Sequence, residues 1–198
     1  PARDLVHVTI DPIEENKAYI SSWNDGILVV EDEIVTTLLN DQNSGLEKLF
    51  LAGEPNFSSI RINGSAFDRN GNFWVANAWV ANRLKKLSSN GNWSSFDLSS
   101  IITSGALGLN ELIIDKSNSI WIGTRRNGVL VFNESGNQKI ALTTEVNSGS
   151  LPDPNVRTIA VDSNNRIWIG TLKGLVVFSN ATGVFNGSNN AEPVIILD

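Results

Sequence analysis

The sequence contains no cysteine and no methionine, and it has a single histidine and a single tyrosine. The lack of cysteine removes disulfides, thiolate-bound zinc and thiol nucleophiles together, and leaves the redox compartment open. With His7 as the sole imidazole, metal sites built from several histidines are excluded, and a catalytic triad would have to use that residue. No run of about 18 apolar residues occurs. The longest apolar stretches, such as Val194–Leu197, are strand-sized, so no transmembrane segment is expected in this chain. Cations are in the minority, 15 Lys and Arg against 21 Asp and Glu, for a net charge of -6. A phosphate-binding surface needs a basic face that releases counterions, so nucleic acid is set aside as a partner. The chain opens on Pro1 without a signal-peptide pattern and is expected to be a mature product or an excised fragment.

What is present is a repeat. Among 198 residues, 41% of them hydrophobic, three segments share the order Asp, short polar turn, aromatic, strand. They run from Asp68 to Ala76, from Asp115 to Thr124 and from Asp162 to Thr171, and Trp74, Trp121 and Trp168 recur at a spacing of 47 residues. A diverged fourth copy precedes them, with Asp11 leading to Ala18-Tyr19-Ile20-Ser21 and Tyr19 in the place of tryptophan. Asp11 lies 57 residues before Asp68, so an insertion separates the first two copies.

Within each copy, apolar runs of four to seven residues are bounded by Asn, Asp, Gly and Ser clusters, the pattern of short strands joined by turns. The last copy predicts strands at Val156–Val161, Arg166–Thr171, Gly174–Phe178 and Pro193–Leu197. Apolar residues at both parities of Val156–Val161 predict a strand buried on both sides. Four antiparallel strands per 40–50 residues is the blade of a β-propeller. The expected fold is therefore all-β, a propeller of four-stranded antiparallel blades at approximately 1–58, 59–106, 107–153 and 154–198. A set of four blades with open ends exposes apolar faces, which implies a larger propeller or self-association through those faces.

Ile167-Trp168-Ile169-Gly170-Thr171 followed by Gly174-Leu175-Val176-Val177-Phe178 resembles the two-component regulator propeller repeat, and Asp115 to Phe132 resembles it equally. The second copy departs, with Asn77-Ala78-Trp79-Val80-Ala81-Asn82 in place of the Gly-Thr and Gly-Leu pieces. Such repeats build extracytoplasmic sensor propellers of hybrid two-component kinases and a propeller of the type IX secretion system. The first copy, with Ser22-Trp23-Asn24-Asp25-Gly26-Ile27-Leu28, is more similar to the secretion propeller. The resemblance implies a periplasmic or cell-surface location, contacts with other secretion-system proteins and binding of a lipopolysaccharide glycan.

Few residues carry chemistry. His7 falls in the inner strand of the first copy and is expected to be structural. The repeated aspartates, Asp11, Asp68, Asp115 and Asp162, mark hairpin turns in which a carboxylate accepts backbone amides. Asp68-Arg69-Asn70-Gly71 begins like a calcium loop but lacks the downstream Glu, so no metal is expected. The periodic tryptophans are core. Residues that break the repeat are free for recognition. Trp23, Trp79, Arg125, Arg126 and Lys173 all lie in second-to-third strand connections, which should emerge at one end of the propeller. Indole faces and planar guanidinium forks suit an anionic glycan or an acidic protein loop; the plainer alternative is that Trp79 packs over its own loop. The polar connections 40–56, 98–108 and 143–154 open at that same end and are expected to be loops. The function expected is a non-catalytic binding or scaffold module of a secretion apparatus, without cofactor. The alternatives are a periplasmic ligand-sensing propeller, separated by a membrane helix and kinase module elsewhere in its gene, and a propeller lactonase or lyase, which a bound divalent metal would reveal.

Overall fold

The computed structural model describes residues 2–102, 108–135, 137–187 and 189–195. The chain divides into two compact units, Pro1–Leu98 and Ser99–Asp198. In the first, β1 (Leu5–Ile10), β2 (Lys17–Ser22), β3 (Gly26–Glu31) and β4 (Ile34–Leu39) form one antiparallel meander. A two-stranded hairpin, β5 (Leu49–Leu51) with β6 (Glu54–Ser59), leads into a second meander of β7 (Arg61–Phe67), β8 (Phe73–Ala78), β9 (Leu84–Leu87) and β10 (Trp93–Phe96). In the second unit, β11 (Leu109–Ile114), β12 (Ile120–Thr124), β13 (Val129–Phe132) and β14 (Lys139–Leu142) form the third meander. After β15 (Ser148–Gly149), the fourth comprises β16 (Val156–Val161), β17 (Ile167–Thr171), β18 (Gly174–Phe178) and β20 (Glu192–Pro193), while β19 (Asn189–Asn190) pairs with β15. Among the described residues the only helical pieces are 3₁₀ turns at Ser99–Ile101 and Ala181–Gly183. The all-β, four-stranded blade architecture expected from the sequence is the one adopted.

The hairpins form for a reason written in the repeat. Oδ1 of Asp68 accepts the amides of Asn70 and Asn72, each at 2.9 Å. Asp115 does the same with Ser117 and Ser119, and Asp162 with Asn164 and Arg166. The second oxygen accepts the indole N–H of the tryptophan six residues on: Trp74 at 2.8 Å, Trp121 at 3.0 Å and Trp168 at 3.0 Å. Aspartate and tryptophan are thus one device that closes the turn and fixes the ring of the next strand. Asp11 keeps the first half, accepting from Ile13 and Glu14, but Tyr19 has no ring N–H to complete it. At Gly26 and Gly128 the backbone adopts positive φ, and a Cβ would strike the carbonyl of Leu39 or Leu142 on the fourth strand, so glycine is required there.

The hydrogen bonds at Asp162, first that from the Trp168 indole and then that from the Arg166 amide, hold its carboxyl well below the usual carboxylate range. Because the folded-state value is depressed, the unfolded chain takes up the proton first as pH falls. The stabilisation is complete above the ordinary aspartate value of about 3.9 and is shed as pH drops below it. Urea midpoints measured from pH 5 to pH 2 should therefore fall less steeply for Asp162→Asn than for the parent chain.

Each unit has its own inter-blade core. Tyr19, Ile27, Val29, Ile60, Ile62, Phe73 and Val75 meet in the first; Trp121, Val129, Ile159, Ile167, Ile169 and Phe178 meet in the second. The inner strands are also joined by polar contacts. His7 Nε2 and Thr9 Oγ1 reach the Ser65 carbonyl at 3.1 and 3.0 Å, and the Glu111 carboxylate accepts from Thr158 Oγ1 and the Ile159 amide. His7 is therefore a strand residue binding the neighbouring blade.

Four expectations need correction. Val156–Val161 is not buried on both sides: only Val156 and Ile159 are buried. Likewise in β1, His7 and Thr9 face the second blade while Val6, Val8 and Ile10 are 45–57% exposed. A strand is buried on both faces only where a sheet lies on each, and within its unit each of these blades has one neighbour. Trp168 is partly exposed for the same reason. Its neighbours Ile167 and Ile169 face the third blade, so by strand alternation the indole faces away, under the Arg166 guanidinium 5.3 Å from the ring. The last strand is only Glu192–Pro193, extended by the Val194 amide bond to the Leu175 carbonyl; residues 196–197 lie outside the described residues. The connection 40–56 is not a plain loop, since the insertion folds into β5 and β6 with Leu46 and Leu49 buried. Part of the connection 143–154 likewise forms β15. Residues 103–107 of the connection 98–108 fall outside the described residues.

Candidate binding rim

In the first unit the two rim tryptophans are brought together by Arg61, a residue that no sequence motif marks. The Asn24 carbonyl accepts the Ile60 amide at 2.8 Å and the Ile60 carbonyl accepts the Gly26 amide at 3.1 Å, which lays the start of β7 against the β2–β3 turn. Arg61, the next residue, pairs with Ala78 at the end of β8. Its guanidinium therefore lies between two indoles, 5.4 Å from the Trp23 ring centre and 5.5 Å from that of Trp79. Stacking of this kind contributes about 0.5–2 kcal/mol per ring, more as water is excluded. Arg61 Nε is buried without a hydrogen-bond partner, and among the described residues no carboxylate pairs with Arg61.

Both rings are held by their backbones. The Trp23 amide donates to the Asp4 carbonyl, and Ser22 Oγ accepts the amides of Asn24 and Asp25, closing the turn. Trp79 has φ +67° and is 38% exposed, between buried Ala78 and Val80. The Asn77 amide donates to the Arg83 carbonyl at 2.8 Å, so the loop is tight. Glu47, from the insertion, pins it: its carboxylate accepts Asn82 Nδ2 at 3.0 Å and Lys85 Nζ at 2.5 Å, while its amide donates to Asn77 Oδ1 at 2.7 Å. The Lys85 side chain is 1% exposed. Burial pulls its pKa down, with Glu47 opposing. Burial pushes the Glu47 carboxyl up, but the hydrogen bonds from Lys85 and Asn82 outweigh it and leave the value lowered. Trp79 is thus an exposed ring on a fixed base.

In the second unit, Arg125 and Arg126 are exposed in the β12–β13 turn, and the Arg125 amide donates to the Gly108 carbonyl. Arg126 makes no hydrogen bond or ion pair with a described residue. Lys173, in the β17–β18 turn, is paired with Asp153 at 3.3 Å. The Asn155 amide and then Lys173 lower the Asp153 carboxyl. The five sequence-derived residues therefore fall into two sets: Trp23 and Trp79, bridged by Arg61, in one unit, and Arg125, Arg126 and Lys173 in the other. Arg61 belongs to no repeated motif, since Gly108 and Asn155 stand 47 and 94 residues on, and the pairing of Ile60 with Asn24 and Gly26 and of Arg61 with Ala78 brings it to the site.

Paired four-stranded meanders, packed inner strand on inner strand and closed by a periodic Asp–Trp hairpin, define a segment of a β-propeller. Residues 150–173 match the family model described as the two component regulator propeller, so the resemblance seen in the sequence stands. The chain is similar to PorZ, an essential bacterial surface component of the type-IX secretion system of Porphyromonas gingivalis. The identity is 19%, the TM-score 0.78, and the match covers 96% of this chain and 27% of PorZ. It is similar also to the extracellular domain of a protein described as a hybrid two component system from B. thetaiotaomicron, at 18% identity and TM-score 0.65 over 94% of this chain and 23% of that one. A third similar structure is virginiamycin B lyase from Staphylococcus aureus, at 14% identity and TM-score 0.64 over 96% of this chain and 55% of the lyase. At such identities these likenesses establish the fold. The chain spans about a quarter of the length of the first two. No curated protein matches by sequence. A surface component and an extracellular domain thus figure among the similar structures, and no helix among the described residues is long and apolar enough to cross a membrane.

Proposed function

We propose that this chain is a non-catalytic, extracytoplasmic propeller segment that binds an anionic group at the rim formed by Trp23, Arg61 and Trp79, as part of a PorZ-like secretion apparatus. The observation that carries this reading is the Arg61 guanidinium held between two indoles with no carboxylate on it. A planar fork fixed in that way meets a carboxylate or phosphate without losing side-chain freedom, and the exposed face of Trp79 offers a platform for a sugar ring or an apolar side chain. An anionic glycan such as a lipopolysaccharide oligosaccharide, or an acidic loop of a partner protein, has both features. Exposed Arg125 and Arg126 add positive potential in the other unit. The similarity to PorZ supports the secretion setting. That to the hybrid two-component extracellular domain supports a second reading, a periplasmic sensor, for which a membrane helix and kinase module in the same gene would decide. A lyase reading is disfavoured because the one histidine is engaged with the Ser65 carbonyl.

The test is a panel of anionic and neutral glycans titrated against the parent chain, Trp79→Ala and Arg61→Lys. Arg61→Lys keeps the charge but loses the stacked fork. Affinity for anionic members should fall about tenfold or more in both variants, a loss of roughly 1.4 kcal/mol. Equal affinity in all three proteins would remove the rim from the function.

A further inference from the structure

At their hairpin ends the two blades of the second unit are closed on each other. The Lys116 amide donates to Asn165 Oδ1 at 2.7 Å, and Lys116 Nζ donates to the Ser163 carbonyl. Beneath these contacts Trp121 packs on Phe178 with ring centres 5.5 Å apart. The matching seam of the first unit is different. By strand pairing, Tyr19 stands where Trp121 stands and Leu87 where Phe178 stands, while Phe67 and Phe73 stand where Val161 and Ile167 stand, so the rings of the seam are rearranged and the indole is lost. Between the hairpins lies a cavity of about 300 Å³ whose apolar wall is Tyr19, Phe67, Phe73 and Leu87.

The same replacement leaves a polar group without its partner. In the other three blades the second oxygen of the turn aspartate accepts an indole N–H. Asp11 is only 8% exposed and lines this cavity. Its Oδ1 accepts two amides, whereas Oδ2 accepts from no described residue. On a residue that lines the cavity, an acceptor without a protein donor is open to a donor from a ligand.

We infer that this seam is a binding site for a single neutral sugar ring. A wholly apolar ligand would leave Asp11 Oδ2 unpaired. An anion is disfavoured because Asp11 and Glu14 both line the cavity, and its one cation, Lys17, is already held by Glu31 at 3.0 Å and Glu14 at 3.6 Å. A pyranose ring presents an apolar face to the aromatic wall and hydroxyl donors at its edge to the carboxylates, and the volume is at the lower end of ligand pockets, where one ring fits. The site lies at the β1–β2 hairpin end, away from the Trp23–Arg61–Trp79 rim, and does not rest on that rim's function.

The experiment titrates the 198-residue chain with methyl hexopyranosides (glucoside, mannoside and galactoside), reading amide NMR shifts around Asp11–Tyr19. It is repeated on Tyr19→Trp, which restores the ring of the other repeats and offers its N–H to Asp11, and on Leu87→Phe, which fills the cavity from the opposite wall. At least one glycoside should give saturable shifts that weaken about tenfold or more in the filled variants, each checked for an unchanged fold. No saturable shift with any glycoside, equal affinity in a folded filled variant, or tighter binding of the matching uronate than of the neutral glycoside would each overturn the proposal.

Discussion

Trp121→Ala should destabilise the chain by roughly 3–5 kcal/mol, the range for emptying a buried indole site. Trp121 is 0% exposed, lies in the core shared by two blades and packs at a tilt on Phe178. Its removal also leaves Asp115, 3% exposed, with an unpaired oxygen. Two controls separate these effects. Trp121→Phe keeps most of the apolar contact and loses only the hydrogen bond, for which about 1–3 kcal/mol is expected. Trp168→Ala makes the same chemical change at a partly exposed site and should cost less than Trp121→Ala. Urea unfolding of the three variants checks the order; equal losses at 121 and 168 would show that the indole–aspartate bond, rather than burial between blades, dominates.

Glu47→Ala should be the other large effect, at roughly 3 kcal/mol, the low end for breaking a buried ion pair because Glu47 itself is a third exposed. The variant leaves the Lys85 ammonium, 1% exposed, with Ser95 Oγ at 2.9 Å as its remaining partner. Burial already lowers the Lys85 pKa, and loss of Glu47 lowers it further. Between that folded value and the unfolded lysine value near 10.4 the unfolded chain binds more protons, so stability rises with pH there and the variant's deficit should shrink as alkaline pH is approached. Adding Lys85→Met should recover much of the loss, since a flexible apolar side chain needs no counter-charge. Urea midpoints of the single and double variants at pH 7 and pH 9.5 test this, and a deficit that ignores pH would mean that the insertion loop, not the charge, was lost. Because Glu47 also holds Asn82, Glu47→Ala is expected to loosen Trp79 and weaken any ligand on the rim.

Much of the fold is legible in the residues. Asp68, Asp115 and Asp162 reach amides two and four positions on and an indole six positions on, so each hairpin is specified within a few residues and its signature repeats every 47. Short β-branched and aromatic runs between Asn, Asp and Gly clusters set the strands in the same local way. The rim tryptophans were visible as breaks in that period. Arg61 was not, because nothing near it in sequence marks it, and the Glu47–Lys85 pair joins an apparent loop to a strand 38 residues away.

The sequence by itself determined the repeat, the turns, the four-stranded blades and the absence of thiol or multi-histidine chemistry, since each follows from local geometry or from composition. Tertiary structure alone decided which guanidinium stands between Trp23 and Trp79, which lysine is buried against Glu47, and that Tyr19, Phe67, Phe73 and Leu87 wall a cavity between two hairpins. Those outcomes depend on which segments far apart in sequence meet, and that is fixed by packing between strands, turns and the insertion, not by any one stretch of chain.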